Sequence, residues 1–262
     1  MLEHTFVHLQ GVGETTERRL WEQGIATWQD ALAAGETPER FSAPRWAHAR
    51  GHIEDSIKAL ARGDHTWFAT GLQSTHHWRA FPEFRRRAAY LDIETTGLTS
   101  SDVVTVVGLY DGARTCTFIA GDNLDQLPEA LAQYAIIVTY NGASFDLPML
   151  GRCFRGLCFP QLHVDLMYPL RRLGLRGGLK GVERQLGLPR DPDIEGLDGW
   201  DAVRLWREWQ RGNRRSLELL VRYNTADIEN LEILMEHVYR RMRQSAGLPQ
   251  DAAAAAEATD GR

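Results

Sequence analysis

The stretch AAYLDIETTGL, from Ala88 to Leu98, constrains the fold of this chain more than any other. It begins as a strand, with small and β-favouring residues and with Tyr90, Leu91 and Ile93 suited to a sheet. It breaks at Gly97. Asp92 and Glu94 stand two residues apart, and in a strand the side chains of i and i+2 share a face. Two carboxylates therefore sit side by side on one face of an apolar strand. Like charges at that spacing repel, and burial makes each one costlier. Whatever fold the chain adopts must neutralise them.

The totals leave that problem open. At 262 residues the chain is long enough for one sizeable domain and a small one. Its 43% hydrophobic and 25% charged residues are ordinary for a globular protein. A formal net charge of -5 does not announce a nucleic-acid binder, but a local basic groove would suffice for one. No apolar run reaches membrane-spanning length, so no membrane partner is expected. The start, MLEHTFVHLQ, lacks a basic segment followed by an apolar one, which predicts no signal peptide. Three cysteines, Cys116, Cys153 and Cys158, fit a reducing compartment, and a cytoplasmic location is expected. Cys153 and Cys158 lack a second ligand pair and read as ordinary thiols rather than a zinc motif.

Four segments follow along the chain. Residues 1–35 hold Gly11-Val12-Gly13, then a helix with Leu20 and Trp21 on its apolar face, ended by Gly24. A short second helix is predicted around Trp28 to Ala33. This resembles a helix-hairpin-helix unit with a short first helix. The resemblance implies that backbone N–H groups at Gly11 and Gly13 meet a phosphate at a helix N-terminus; a plain packing unit reads equally well. Residues 36–87 form a helical connector. One helix is predicted across APRWAHARGHIEDSIKALARG, with Pro44 near its start and Gly63 at its end. His48 and His52 are i, i+4 partners without a third ligand and read as surface. HHWRAFPEFRRR interleaves Trp78, Phe81 and Phe84 with Arg79, Arg85, Arg86 and Arg87. Aromatics and arginines so mixed suit stacking on bases and gripping phosphates. The aromatics read slightly better as anchors of the connector, the arginines as phosphate contacts. Residues 88–244 carry an α/β pattern: the strand with Asp92, then VVTVVGLY and TCTFIAG joined at Asp111-Gly112 as a hairpin. A helix near Leu124 to Tyr134 and an almost wholly apolar strand, AIIVTYN, come next, and helices are expected to dominate after Ser144. The alanine-rich tail, residues 245–262, is expected to be disordered.

Further carboxylates accompany the first pair. In TYNGASFDLPML, Asn141-Gly142 turns the chain, Ser144 is a plausible N-cap, and Asp146 falls in the first helical turn. A helix-dipole carboxylate would look the same. RRSLELLVRYNTADIENLEILMEHVYRRM reads as a long helix with an apolar stripe through Leu217, Leu220, Ile228, Leu231, Leu234 and Val238. Asp227 falls inside that stripe, and Tyr223 lies one turn earlier on the same face. A carboxylate there needs a partner. Four carboxylates gathered at one point would be unstable without cations. Two divalent ions about 4 Å apart, Mg²⁺ or Mn²⁺ by their preference for oxygen ligands, would neutralise them.

D-x-E on a first strand, N-G-x-x-F-D later and Y-x-x-x-D near the end resemble the three motifs of the DEDD exonuclease superfamily, in its DEDDy type. The wording YLDIETTGL, TYNGASFDLPML, LKGVERQLGL and YNTADIENL is similar to the YprB-like branch, over roughly residues 78 to 240. The resemblance implies an α/β ribonuclease H-like fold, with a mixed central sheet flanked by helices, preceded here by a small α-helical region. It implies that Asp92, Glu94 and Asp227 hold one metal, with Asp92 bridging to a second that Asp146 holds. It implies that Tyr223 positions the attacking water or the scissile phosphate, and that a phosphodiester is hydrolysed from the 3′ end. A tyrosine with an ordinary pKa of about 10 is a poor general base at neutral pH, so positioning rather than proton abstraction falls to Tyr223.

Thr95 beside the pair, Asn141 at its turn, and Lys180 and Arg184 at i, i+4 in GGLKGVERQLG are candidate substrate contacts, though a solvated helix face explains the last two equally well. Arg171, Arg172 and Arg176 make a basic groove there more plausible. Asp165 in HVDLMYPL reads better as an N-cap for the following helix than as a carboxylate behind the site. DNA, single-stranded by preference, is the expected substrate, with RNA as a second class and a helicase or other DNA-processing protein as a candidate partner. Two other readings compete: a nucleic-acid-binding module without turnover, and a structure-selective endonuclease on the same fold.

Overall fold

A computed structural model describes residues 1–99 and 101–248 of the chain. They form two compact units: Met1–Arg85 together with the chain from Tyr239, and Arg86–Val238.

In the first unit, Gly11 takes a φ of +73° and turns the chain into α1 (Glu14–Glu22). The residues from Val7 to Gly11 make turns and a bend, and only a three-residue 3-10 helix, Leu2–His4, precedes the glycines. Gly24, at φ +83°, follows α1, and Thr27 and Asp30 form a reciprocal capping box that opens α2 (Trp28–Ala33). Then come α3 (Ala43–Ala61) with Pro44 in its first turn, α4 (His65–Gly71) capped by Asp64, a 3-10 stretch over Ser74–Ala80, and α5 (Phe81–Phe84). Trp28 stacks on Phe68 at 6.2 Å between ring centres, and Trp78 and Phe81 pack against Tyr239 at 6.3 and 6.0 Å. The aromatics of HHWRAFPEFRRR, Trp78, Phe81 and Phe84, are therefore core and not a base-stacking surface. Arg79 is also corrected. It is buried, and its guanidinium donates to Glu17 at 2.9 Å, while the Phe6 N–H donates to the same carboxylate at 2.6 Å. Burial without such a partner would cost the charge its hydration.

The second unit holds a five-stranded sheet. Its elements are β1 (Ala88–Thr95), β2 (Val104–Tyr110), β3 (Thr115–Ile119), α6 (Leu127–Leu131), β4 (Ile136–Thr139), α7 (Asp146–Cys153), β5 (Leu162–Asp165), α8 (Met167–Arg172), α9 (Gly178–Leu186), α10 (Gly199–Gln210) and α11 (Arg214–Ala246). The strand order is β3-β2-β1-β4-β5. The first three strands are antiparallel neighbours, and β4 and β5 run parallel to β1. The Asp111-Gly112 turn joins β2 to β3, with Asp111 accepting from the N–H groups of Ala113 and Arg114. β1 is central, which explains its apolar odd positions: Ala89, Leu91 and Ile93 join Val107, Leu109, Leu127, Leu131, Met149 and Leu150 in one core. On the other side Val106 meets Ala202, Leu205, Trp206, Leu220 and Tyr223 of α10 and α11. Strand alternation then turns Asp92 and Glu94 toward the α10–α11 side.

Two local expectations change. The segment from Leu124 begins with a 3-10 turn, and the α-helix proper spans only Leu127–Leu131. Ser144 does not cap α7, whose preceding residue is Phe145 and which has no side-chain cap. Helices dominate after Ser144, with one short strand, β5, among them; its four residues are too few to show a period. Ser245 and Ala246 continue α11 and Leu248 is buried, while residues 249–262 of the expected tail lie outside the described residues. Among the described residues no helix is long and apolar enough to cross a membrane.

Candidate active site

β1 ends in the site. Asp92 and Glu94 project from one face of it, and a register shift between Glu94 and Thr95 lets the chain leave the sheet there. Beyond the end of β4, Asn141 takes a φ of +65° and the chain turns into α7. Asp165, at the end of β5, accepts from Asn141 N–H at 2.7 Å and Ala143 N–H at 3.1 Å. It therefore braces the turn that delivers Asp146 as the first residue of α7. Gly142 packs so close to Thr139 that a Cβ there would lie 2.3 Å from Thr139 Oγ1, and any larger residue would displace the turn. α11 brings Tyr223 and Asp227, one turn apart, to the same place. These five residues line one cavity of about 400 Å³, together with Thr95, Asn141, Leu98, Phe145 and Trp200.

α11 can come close enough because of Gly108. This residue faces Asp92 across the β1–β2 ladder, and a Cβ on it would stand 2.0 Å from Asn224 Oδ1. In that gap the Asn224 amide donates to Asp92 Oδ2 at 2.9 Å and reaches Asp92 O at 3.3 Å. Asn224 precedes Asp227 by three positions, so the helical spacing that marks Tyr223 marks it too.

The carboxylates are costly where they stand. Burial pushes Asp92 and Glu94 well above the ordinary carboxylate range, and repulsion from Asp227 adds to both. Burial raises Asp146 to about 7. Asp227 is raised by burial to about 6, against the pull of the Arg190 guanidinium. Burial and the neighbouring carboxylates push the Tyr223 phenol upward, so it stays protonated. One oxygen each from Asp92, Glu94 and Asp227 lie within 4.8 Å of one another, and this is the only such cluster of three or more potential ligands among the described residues. All three are hard oxygen donors, the set that suits a divalent cation such as Mg²⁺ or Mn²⁺. Glu94 Oε1 is buried without a hydrogen-bond partner, and a cation would satisfy it. The donor set fits a metal. Asp146 lies outside that trio but on the same cavity.

Of the other candidates, Thr95 and Asn141 line the cavity. Lys180 does not; its ammonium lies 4.4 Å from the centre of the Tyr223 ring and donates to Leu197 O. Arg184 is exposed on α9 and does not line the cavity. In the first unit, Gly11 O accepts from the Arg45 guanidinium at 2.8 Å, and Gly13 directly precedes α1. Three residues of the site escape sequence reasoning: Gly108, Asn224 and Arg190. Arg190 sits between Pro189 and Pro192 in a stretch without periodicity and donates to both Glu183 and Asp227. Only Asn224 carried a local signal.

A family model described as the RNase_H superfamily matches residues 89–239, more than half of the chain. The chain is similar to the family B DNA polymerase from the hyperthermophilic archaeon Pyrobaculum calidifontis, at 18% identity and a TM-score of 0.47. That match covers 58% of this chain and 24% of the polymerase, so the chain corresponds to about a quarter of that protein. No curated protein matches it. With the mixed sheet, its flanking helices and the acidic residues at the end of its central strand, this chain belongs to the RNase_H superfamily.

Proposed function

We propose that this protein is a metal-dependent 3′–5′ exonuclease of the DEDDy type, in the YprB-like branch, that hydrolyses phosphodiester bonds of single-stranded DNA in the cytoplasm. The observation that carries the reading is the trio Asp92, Glu94 and Asp227, with oxygens within 4.8 Å of one another in a cavity shared with Asp146 and Tyr223. Asp92, Glu94 and Asp227 would hold one ion, and Asp146 with Asp92 a second. Bound there, divalent ions lower the pKa of an attacking water and stabilise the charge on a leaving oxygen.

The chain's own residues do the rest. Tyr223 keeps its proton and donates a hydrogen bond to the attacking water or to a phosphate oxygen. It is not a base, because burial beside three carboxylates opposes its ionisation. Asn224 fixes the Asp92 carboxylate by its amide. Leu98 and Trp200, both largely exposed at the cavity, offer apolar surface to an unpaired terminal base, which supports a single strand as substrate. In the first unit, the turn at Gly11 and Gly13, with Arg45 folded on it, is proposed as a second phosphate contact. A helicase that delivers the strand is the proposed partner.

The test is a 5′-labelled single-stranded DNA oligonucleotide incubated with the purified chain and Mn²⁺ or Mg²⁺, beside EDTA and Asp92→Ala controls. The expected result is a ladder shortening from the 3′ end, absent in both controls. Cleavage of RNA alone would correct the substrate, and internal cuts in a 3′-blocked strand would indicate an endonuclease. No cleavage of either nucleic acid would refute turnover and leave a binding module.

A further inference from the structure

Each carboxylate of the candidate metal trio differs in what holds it. Asp92 is held by the Asn224 amide, and Glu94 Oε1 has no partner. Asp227 is held by a guanidinium, that of Arg190. The arginine arrives from the segment between α9 and α10, and it is anchored first on Glu183. Nε donates to Glu183 Oε2 and Nη2 to Glu183 Oε1, both at 2.7 Å, the parallel fork that arginine makes with a carboxylate. The Asn230 amide donates to the same Glu183 Oε1 at 2.9 Å. Asn230 stands three positions after Asp227 on α11, so both ends of the chain Asn230–Glu183–Arg190–Asp227 rest on one helix face.

A purely structural ion pair would be complete at Glu183. Here Nη2 is shared onward to Asp227, and the side chains of Glu183, Arg190 and Asp227 are all buried. The same segment is fastened again after Arg190. Arg222 donates to Asp191 at 2.6 Å and to Asp193 at 3.1 Å, and Lys180 donates to Leu197 O. Exposed pairs such as Arg222 with Asp191 contribute little stability, but they restrict where the segment lies. With Asp227 Oδ1 engaged by Arg190, rotation of that carboxylate is restricted.

We propose that Arg190 is a positioning residue of the carboxylate centre, which, clamped on Glu183 and Asn230, fixes the Asp227 carboxylate in the orientation that a divalent ion requires. The inference rests on the reading of the trio as a metal site. Groups that hold a metal ligand from behind set its orientation, and their loss typically weakens metal affinity roughly 10–100-fold.

The experiment is a titration of the metal-free 262-residue chain with MnCl₂, following free Mn²⁺ by electron paramagnetic resonance. It compares wild type, Glu183→Gln/Arg190→Gln and Arg190→Lys. The double variant removes one positive and one negative charge together, so neither is left buried alone. Its Kd for Mn²⁺ should rise roughly 10–100-fold, with the circular dichroism unchanged. Arg190→Lys keeps the charge without the fork and should fall between it and wild type. Nuclease activity of the double variant should recover as Mn²⁺ is raised, which misfolding would not allow. A Kd within two-fold of wild type, or a tighter one, overturns the inference, the tighter value meaning that Arg190 competes with the metal. If the double variant fails to fold, Arg190→Lys decides by the same criterion. Wild-type protein that binds no Mn²⁺ overturns the proposed function itself and this inference with it.

Discussion

Replacing Gly108 with alanine tests how α11 is seated on the sheet. The new Cβ would lie 2.0 Å from Asn224 Oδ1, closer than atoms can approach, and 3.0 Å from both Asn224 Cγ and Ile228 Cδ1, which would have to give way. Asn224 is buried and cannot swing into solvent. The helix must shift, or the Asn224 amide must leave Asp92, to which it donates at 2.9 Å. Overpacking a core typically costs about 1–3 kcal/mol, and a lost hydrogen bond to a charged group about 1.5–3 kcal/mol. Alanine returns about 0.5–1 kcal/mol by restricting the unfolded chain. If both costs apply the net is a loss of about 1.5–5.5 kcal/mol, and at about 2–4 °C per kcal/mol the midpoint should fall roughly 3–20 °C. The assay is thermal and urea unfolding in EDTA, run beside Asn224→Ala and the double variant. Because Asn224→Ala removes the obstructing amide, Gly108→Ala should cost far less in that background, a strongly non-additive cycle. A Gly108→Ala protein within 0.5 kcal/mol of wild type, or additive costs in the cycle, would refute the packing argument.

Asp92→Asn should stabilise the metal-free protein by about 1–2 kcal/mol, since it removes one of several buried like charges. Thermal unfolding in EDTA reads this as a higher midpoint than wild type, and added Mn²⁺ should raise the wild-type midpoint more than the variant's; equal responses to Mn²⁺ would count against the metal site. His8 in the first unit gives a pH signature. Burial, together with His52 5.4 Å away, lowers its pKa from 6.5 to about 3. Between those values the unfolded chain binds a proton that the folded one does not, so stability rises with pH over this window and is lost as pH falls below 6.5. From pH 7 to pH 5 wild type should lose about 2 kcal/mol more than His8→Gln in urea unfolding; parallel profiles would sink the assignment.

The sequence by itself determined much of the architecture, because the signals were local. The alternation in β1 placed Asp92 and Glu94 on one face, the 3.6 period of α11 placed Tyr223 and Asp227 on another, Gly24 ended α1, and Pro44 and Gly63 set the limits of α3. The motifs in their order carried the superfamily. Only the tertiary structure decided how these faces meet. Gly108 has no side chain to announce that a helix passes close to it, and Arg190 gains its role from Glu183 and Asp227, 7 and 37 positions away. Asp165, read in sequence first as a cap of the following helix, accepts from Met167 N–H at the start of α8 and also braces the turn before α7. In HHWRAFPEFRRR the aromatics read slightly better as anchors and the arginines as phosphate contacts, and packing assigned Trp78, Phe81, Phe84 and also Arg79 to the interior. The reason is common to all of these. Periodicity and capping are properties of neighbours along the chain, whereas close approach, buried charge pairing and burial itself depend on residues that only folding brings together.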